Sequence, residues 1–291
     1  MLTDTHCHIH EQDFPIPATE VLQNASANNV RQMFCVGTSI QSSEDAVEFV
    51  KKYDKSVLAS SKNNMEIPKQ VQDDESIIQD DERLSFFAIL GVHPHETKTF
   101  SDEDDKTLRD LIKNNREIIK GIGEIGLDYY YEFSPRKTQI SVLEKQLQIA
   151  ASHSLPISFH VRDSRENSGE VWTDFWSVIN NFSNIRAVMH SFTDTRVNLG
   201  KALERGFYIG VNGIITFNKN PAQTEMYREI PLNRILLETD APFLAPKPFR
   251  GQTNQPAYIK NIAEFLADFT DNSLEKIAEI TTKNAGDLFL N

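Results

Sequence analysis

The chain has 291 residues, 39% hydrophobic and 25% charged, with 30 basic and 42 acidic residues giving a net charge of −12. That length builds a core without disulfide or metal staples and fits one barrel-sized domain of about 250 residues. The acidic balance excludes a broad basic surface for wrapping nucleic acid, but it allows a local cationic site. No apolar run has the length of a signal peptide or a membrane span. Cys7 and Cys35, the two cysteines, each fall in an apolar strand. Buried thiols point to a reducing compartment, so the cytosol or the nucleus is the expected location, with a Cys7–Cys35 disulfide as the alternative.

In chain order, residues 2–5 predict a first strand that runs into His6-Cys7-His8. Residues two apart on a strand share a side, so both imidazoles aim into one pocket and Cys7 turns into the wall. Residues 17–30 read as a helix around Val21, Leu22 and Ala25, 32–38 as a strand, and 43–53 as a helix. The stretch 60–84 reads as an insertion with three basic and seven acidic residues and little periodicity. It is expected to be a flexible surface loop, or an acidic element that docks a protein partner, on the barrel face away from the active site. A third strand, 86–92, ends at His93-Pro94-His95, and a helix over 102–115 follows Ser101 as its cap. The fourth strand, 118–122, ends at Gly123-Glu124, and 137–152 is amphipathic helix. Strands at 156–159, 185–189, 207–211 and 234–238 alternate with helices at 171–181, 195–205 and 221–229, and two further helices occupy 256–269 and 273–289. Eight strands alternating with helices predict a single-domain α/β fold, a (β/α)8 TIM barrel over residues 1–291. A doubly wound sheet is the alternative, but it lacks its usual Gly-rich turn.

The residues that carry chemistry share one topological address. His6 and His8 end the first strand, Glu124 the fourth, His160 the fifth, His190 the sixth and Asp240 the eighth. In a barrel these ends open on the face that holds the active site. Four imidazoles and two carboxylates form a donor set for two divalent cations about 3.5–4 Å apart, with Mg, Mn, Zn and Co all compatible. His6, His8 and Asp240 are expected to hold one ion, His160 and His190 the other, and Glu124 to bridge them. Asp240 is the expected general base toward a water that two cations acidify. His93 and Arg162 are the expected contacts to a phosphate or leaving group, with His95 and Arg250 as further substrate contacts. A salt bridge to Asp163 or Asp128 is the plain alternative for Arg162. His10 and His153 read as surface or loop histidines.

The motifs Asp4-Thr5-His6-Cys7-His8, Gly91-Val92-His93-Pro94-His95, Gly121 to Tyr129, His160-Val161-Arg162-Asp163, His190-Ser191-Phe192 and Glu238 to Pro242 resemble the TatD family of metal-dependent deoxyribonucleases. Arg250-Gly251, Asn254 and Pro256 are similar to that family's last active-site loop. The resemblance implies a TIM barrel and a divalent-metal phosphodiesterase, often a 3′ to 5′ exonuclease on DNA. The family's six metal ligands fall on the six residues above. Ser191 stands where a Cys is more usual, and the 60–84 insertion is longer than is typical. The alternatives to a nuclease are another two-metal hydrolase, cleaving a C–N or ester bond such as an acyl-nucleic-acid ester, and a partner-binding protein that has lost catalysis. Glu124 stands where many C–N hydrolases on this barrel carry a modified lysine.

Overall fold

Strands and helices alternate along the chain in the computed structural model, which describes residues 1–54, 84–166 and 168–291. The strands are β1 (Leu2–Cys7), β2 (Val30–Val36), β3 (Ser85–Leu90), β4 (Ile119–Asp128), β5 (Ile157–Arg162), β6 (Ala187–Met189), β7 (Tyr208–Val211) and β8 (Ile235–Leu237). Between and after them run α1 (Ala18–Ala27), α2 (Ile40–Tyr53), α3 (Asp102–Asn114), α4 (Arg136–His153), α5 (Glu170–Ile179), α6 (Arg196–Glu204), α7 (Pro221–Arg228), α8 (Ile259–Thr270) and α9 (Leu274–Phe289). The 8-stranded sheet keeps sequence order, β1 to β8, with every laddered pair parallel. It is a (β/α)8 barrel. The acidic stretch 60–84, expected as a surface loop or docking element, lies outside the described residues, apart from Leu84.

Strand parity explains where the core sits. Phe34, Val36, Ile89, Val188 and Leu236 belong to one buried cluster, which α9 completes with Ala285, Leu288 and Phe289. Their neighbours Met33, Cys35, Ala88, Leu90, Met189, Ile235 and Leu237 belong to the second, larger cluster, together with the buried residues of the surrounding helices. Apolar side chains on both faces are what a sheet needs when helices cover its outside. Cys7 belongs to the larger cluster, so His6 and His8 take the inward parity; both cysteines are free thiols, and the disulfide alternative falls.

The ends of the helices follow local chemistry. Ser101 and Asp104 form a reciprocal capping box on α3, and Ser39, Thr195, Asn220 and Ser273 each accept a backbone N–H at a helix start. Such caps contribute about 1 kcal/mol each. Barrel closure between β1 and β8 is different: it has no ladder, only a bridge between Cys7 and Ala241. Two backbone bonds complete it, Asp240 N–H to His6 O at 2.9 Å and His8 N–H to Ala241 O at 2.8 Å. Three expected metal ligands therefore lie on the closing seam.

The largest departure from the expected boundaries is in β4. β4 continues past Gly123-Glu124 to Asp128, pairing Gly126 with His160 and Asp128 with Arg162. The glycines at 121, 123 and 126 hide this strand from propensity, because glycine has no side chain to pack. Gly126 has a φ of 154°, and a Cβ there would lie 1.7 Å from the carbonyl oxygen of His160. Only glycine lets β4 approach β5 at that point.

Candidate active site

Continuing the inward parity past the apolar residues leads to the polar centre. On β6 and just after it, Val188 is followed by His190; on β8 and beyond, Leu236 by Glu238 and Asp240; on β1, Asp4 by His6 and His8. All six expected ligands converge there. The donor atoms of His6, His8 and Asp240 lie within 4.8 Å of one another; the same holds for His6, Glu124 and His190, and for His93, Glu124 and His160. Glu124 joins the groups: Oε2 is 3.4 Å from His6 Nε2, while Oε1 is 2.7 Å from His160 Nδ1 and 3.8 Å from His190 Nε2. Asp240 Oδ1 is 3.4 Å from His8 Nε2, 3.6 Å from His190 Nε2 and 3.8 Å from His6 Nε2. His190 stacks on His6 at 3.6 Å, with its Nε2 in reach of both Glu124 and Asp240.

Each of the four histidines faces an oxygen with its other nitrogen. His8 Nδ1 donates to Val36 O at 2.7 Å, and His160 Nε2 lies 3.0 Å from Asp128 Oδ2. His6 Nδ1 is 3.4 Å from Ser158 Oγ. His190 Nδ1 is 3.0 Å from Glu238 Oε2, in ion-pair range though off a hydrogen-bond line. This is how proteins orient imidazoles toward a metal. Gly210 makes room for Glu238, since a Cβ there would lie 2.4 Å from Oε2. His6 Nε2 is buried without a hydrogen-bond partner among the described residues and aims between Glu124 and Asp240. A buried orphan nitrogen among carboxylates and imidazoles fits a divalent cation, and the absence of thiolate fits a hard or borderline ion.

The electrostatics agree with that fit. Burial opposes ionisation of Glu124, but His190, His93, His160 and His6 hold its carboxyl well below the usual range. Burial favours a neutral His160, yet Asp128 and Glu124 push it up to about 9. Burial acts likewise on His190, and Glu238 and Glu124 raise it to about 10. Metal binding to these imidazoles would therefore release protons. Asp4 is raised to about 7 by burial, against hydrogen bonds from the Thr239 hydroxyl and amide.

His93 differs from the six expected ligands. Its Nδ1 accepts the backbone N–H of His95 at 3.2 Å, so a neutral ring carries its proton on Nε2, 3.7 Å from Glu124 Oε1. Burial and the neighbouring His160 keep the ring neutral, well below the ordinary histidine range. A nitrogen bearing a proton is a hydrogen-bond donor, not a metal ligand.

A cavity of about 690 Å³ opens over this cluster and includes His8, His93, His95, Glu124, Asp128, His160, Arg162, His190 and Asp240 in its lining. His95 shares Asp128 with His160, at 3.0 Å from Oδ2. Arg162 makes no carboxylate pair among the described residues; its guanidinium lies over Tyr130 at 4.2 Å and Tyr131 at 4.9 Å. Arg250 is not part of the lining. It rests on the Phe217 ring at 3.7 Å and donates to Ala245 O, tying two loops together instead. His10 is not a surface histidine: it is buried, with Nε2 3.1 Å from Ser42 Oγ. His153 is the last residue of α4 rather than part of a loop.

Sequence reasoning missed Asp4, Ser158 and Glu238 as the oxygens behind the ligands, and saw Asp128 only as a partner for Arg162. Parity would have found three of them. Asp4 precedes His6 by two, Ser158 precedes His160 by two, and Glu238 precedes Asp240 by two.

A (β/α)8 barrel with an imidazole–carboxylate cluster at its strand ends defines a metal-dependent hydrolase. The chain belongs to the TatD related DNase family, whose model matches residues 3–61 and 66–290. Among relatives, the uncharacterized metal-dependent hydrolase YabD of Bacillus subtilis is 30% identical over 289 residues, covering 99% of each chain. The 3′-5′ ssDNA/RNA exonuclease TatD of Salmonella typhimurium is 28% identical over 291 residues, covering 98% of each. Among solved structures, the TatD homologue YJJV of Escherichia coli matches with a TM-score of 0.76 at 23% identity, covering 100% of this chain and 98% of that one. A TatD family hydrolase of Entamoeba histolytica matches with a TM-score of 0.78 at 21% identity, covering 99% and 97%. No helix among the described residues is long and apolar enough to cross a membrane.

Proposed function

We propose that this chain is a two-metal phosphodiesterase that removes nucleotides from the 3′ end of DNA, or of RNA. The observation that carries the reading is the shared carboxylate: Glu124 turns one oxygen to His6 and the other to His160 and His190. His6, His8 and Asp240 would hold one cation, and His160 and His190 the other, with Glu124 common to both. When bound, such a pair supplies Lewis acidity toward a phosphoryl oxygen and acidifies a water. Glu96, Glu124, Asp128 and Asp240 line the cavity with Arg162 as its one arginine, so cations held by the cluster would supply much of the positive charge that a phosphodiester needs there.

The chain's own residues supply the rest. Asp240 presents Oδ1 beside three imidazoles and accepts the proton of the attacking water. His93, neutral with its proton on Nε2, donates toward the leaving oxygen. Arg162 at the rim meets a phosphate. The relative named as a 3′-5′ ssDNA/RNA exonuclease supports the choice of substrate. C–N hydrolysis through a modified lysine is disfavoured, since no lysine lines the cavity among the described residues.

The test is a 5′-labelled single strand incubated with Mg or Mn, with and without chelator. A ladder shortening from the 3′ end, abolished by chelator, is expected. Intact strand under every metal condition overturns the reading.

A further inference from the structure

Exposed aromatic rings are not scattered over this molecule. Among the described residues the exposed large hydrophobic side chains are Met1, Val197, Leu290, Tyr131 at 42%, Phe133 at 57% and Phe243 at 61%. The three aromatic ones all line the cavity above the ligand cluster, and the three aliphatic ones do not. Isolated exposed apolar residues need no explanation, but rings gathered at one mouth do.

The rings are also held in place. Tyr131 and Phe133 lie within 7° of parallel, with centroids 5.5 Å apart. His95 stands edge-on to both, at 5.4 Å and 4.8 Å, and its Nε2 is fixed 3.0 Å from Asp128. The same carboxylate accepts the backbone N–H of Tyr131 at 3.0 Å and orients His160. One buried acid thus sets both the aromatic pair and a ligand histidine. Arg162 lies 4.9 Å over Tyr131, and its Cα pairs with that of Asp128 in the β4–β5 register. Phe243 follows β8, four places from β4 in an eight-stranded cylinder, so its loop faces the Tyr131 loop across the mouth.

We infer that Tyr131 and Phe133 on one side and Phe243 on the other form a stacking site for unpaired nucleobases flanking the scissile phosphodiester. This rests on the phosphodiesterase reading above. An unpaired base offers free π-faces, whereas a base inside a duplex has both faces covered by its neighbours. Flat rings beside a cation and a phosphodiester site therefore select single-stranded ends, with little regard to sequence. The acidic net charge agrees, because such a site draws affinity from stacking more than from a basic surface.

The experiment compares two single strands of one sequence, one with natural bases and one with abasic sugars at its last two 3′ positions. With the intact enzyme and Mn, KM for the abasic strand should be about tenfold or more higher. Phe133→Leu and Phe243→Leu keep apolar bulk but remove the flat ring. Each should raise KM for the natural strand roughly tenfold with a much smaller change in kcat, and the penalty should vanish on the abasic strand. Equal KM for the two strands in the intact enzyme, or an equal penalty on both in the variants, overturns the stacking site. Cleavage of neither strand overturns the nuclease reading instead. Stacking is then judged from quenching of a 3′-terminal 2-aminopurine in Ca: quenching lost in Phe133→Leu supports it, and no quenching in the intact protein overturns it.

Discussion

The two halves of the imidazole–carboxylate cluster are built by different means. The half formed by His6, His8 and Asp240 lies on the β1/β8 seam, where the backbones of the ligands bond to each other and close the barrel. Behind it, Thr239 donates its amide and hydroxyl to buried Asp4. The half around His160 is set by a side chain, Asp128, which also holds His95 and the amides of Tyr130 and Tyr131. His160 is 18% exposed, His6 1%. The seam half is thus part of the fold, and the other half is part of the substrate mouth. Damage to the first should cost stability together with metal; damage to the second should cost metal and substrate while the fold survives.

Glu124 belongs to both halves, so Glu124→Gln should have the largest effect. Activity should fall by on the order of 10³-fold or more, with both metal equivalents reduced in elemental analysis. Next, His6→Ala combined with His8→Ala should empty the seam position and leave the other partly filled through His160 and His190. Two ions bound as before would show the ligand assignment to be wrong. Asp128→Asn should weaken metal at the second half by about 10–100-fold in a titration, with the seam position unchanged. Equal weakening at both positions would erase the distinction between the halves. Thr239→Val should act on the fold instead. It leaves a buried carboxylate without its hydroxyl donor, costing about 1–3 kcal/mol and several degrees in a thermal melt. The smallest contrast lies at the rim. Arg162→Ala should raise KM for a single strand about tenfold, while Arg250→Ala, docked on Phe217, should change it by no more than about twofold.

Particular residues show what could be read early. The convergence of His6 and His8 is legible because strand parity is local, and that of the other four expected ligands because an apolar run ending in a polar residue marks a strand end. From the sequence β4 reads short because its glycines carry no propensity signal, although β5 pairs with it out to Asp128. The place of Arg250 after the last strand predicts a cavity residue, but a loop has no fixed period, and packing on Phe217 decides its direction. His10 looked like a loop residue and is one, yet the turn that carries it folds under the α2 terminus to reach Ser42.

By itself, the sequence determined the barrel and the six residues that meet in it. Both follow from periods of about two and 3.6 residues, which each short segment carries within itself. Only the tertiary structure decided which nitrogen of each histidine faces the centre, because that depends on oxygens from other strands. It decided that His93 keeps a proton on Nε2 beside Glu124, and that Asp128 ties a ligand to a pair of exposed rings. Those relations join residues whose neighbourhood exists only once the cylinder has closed.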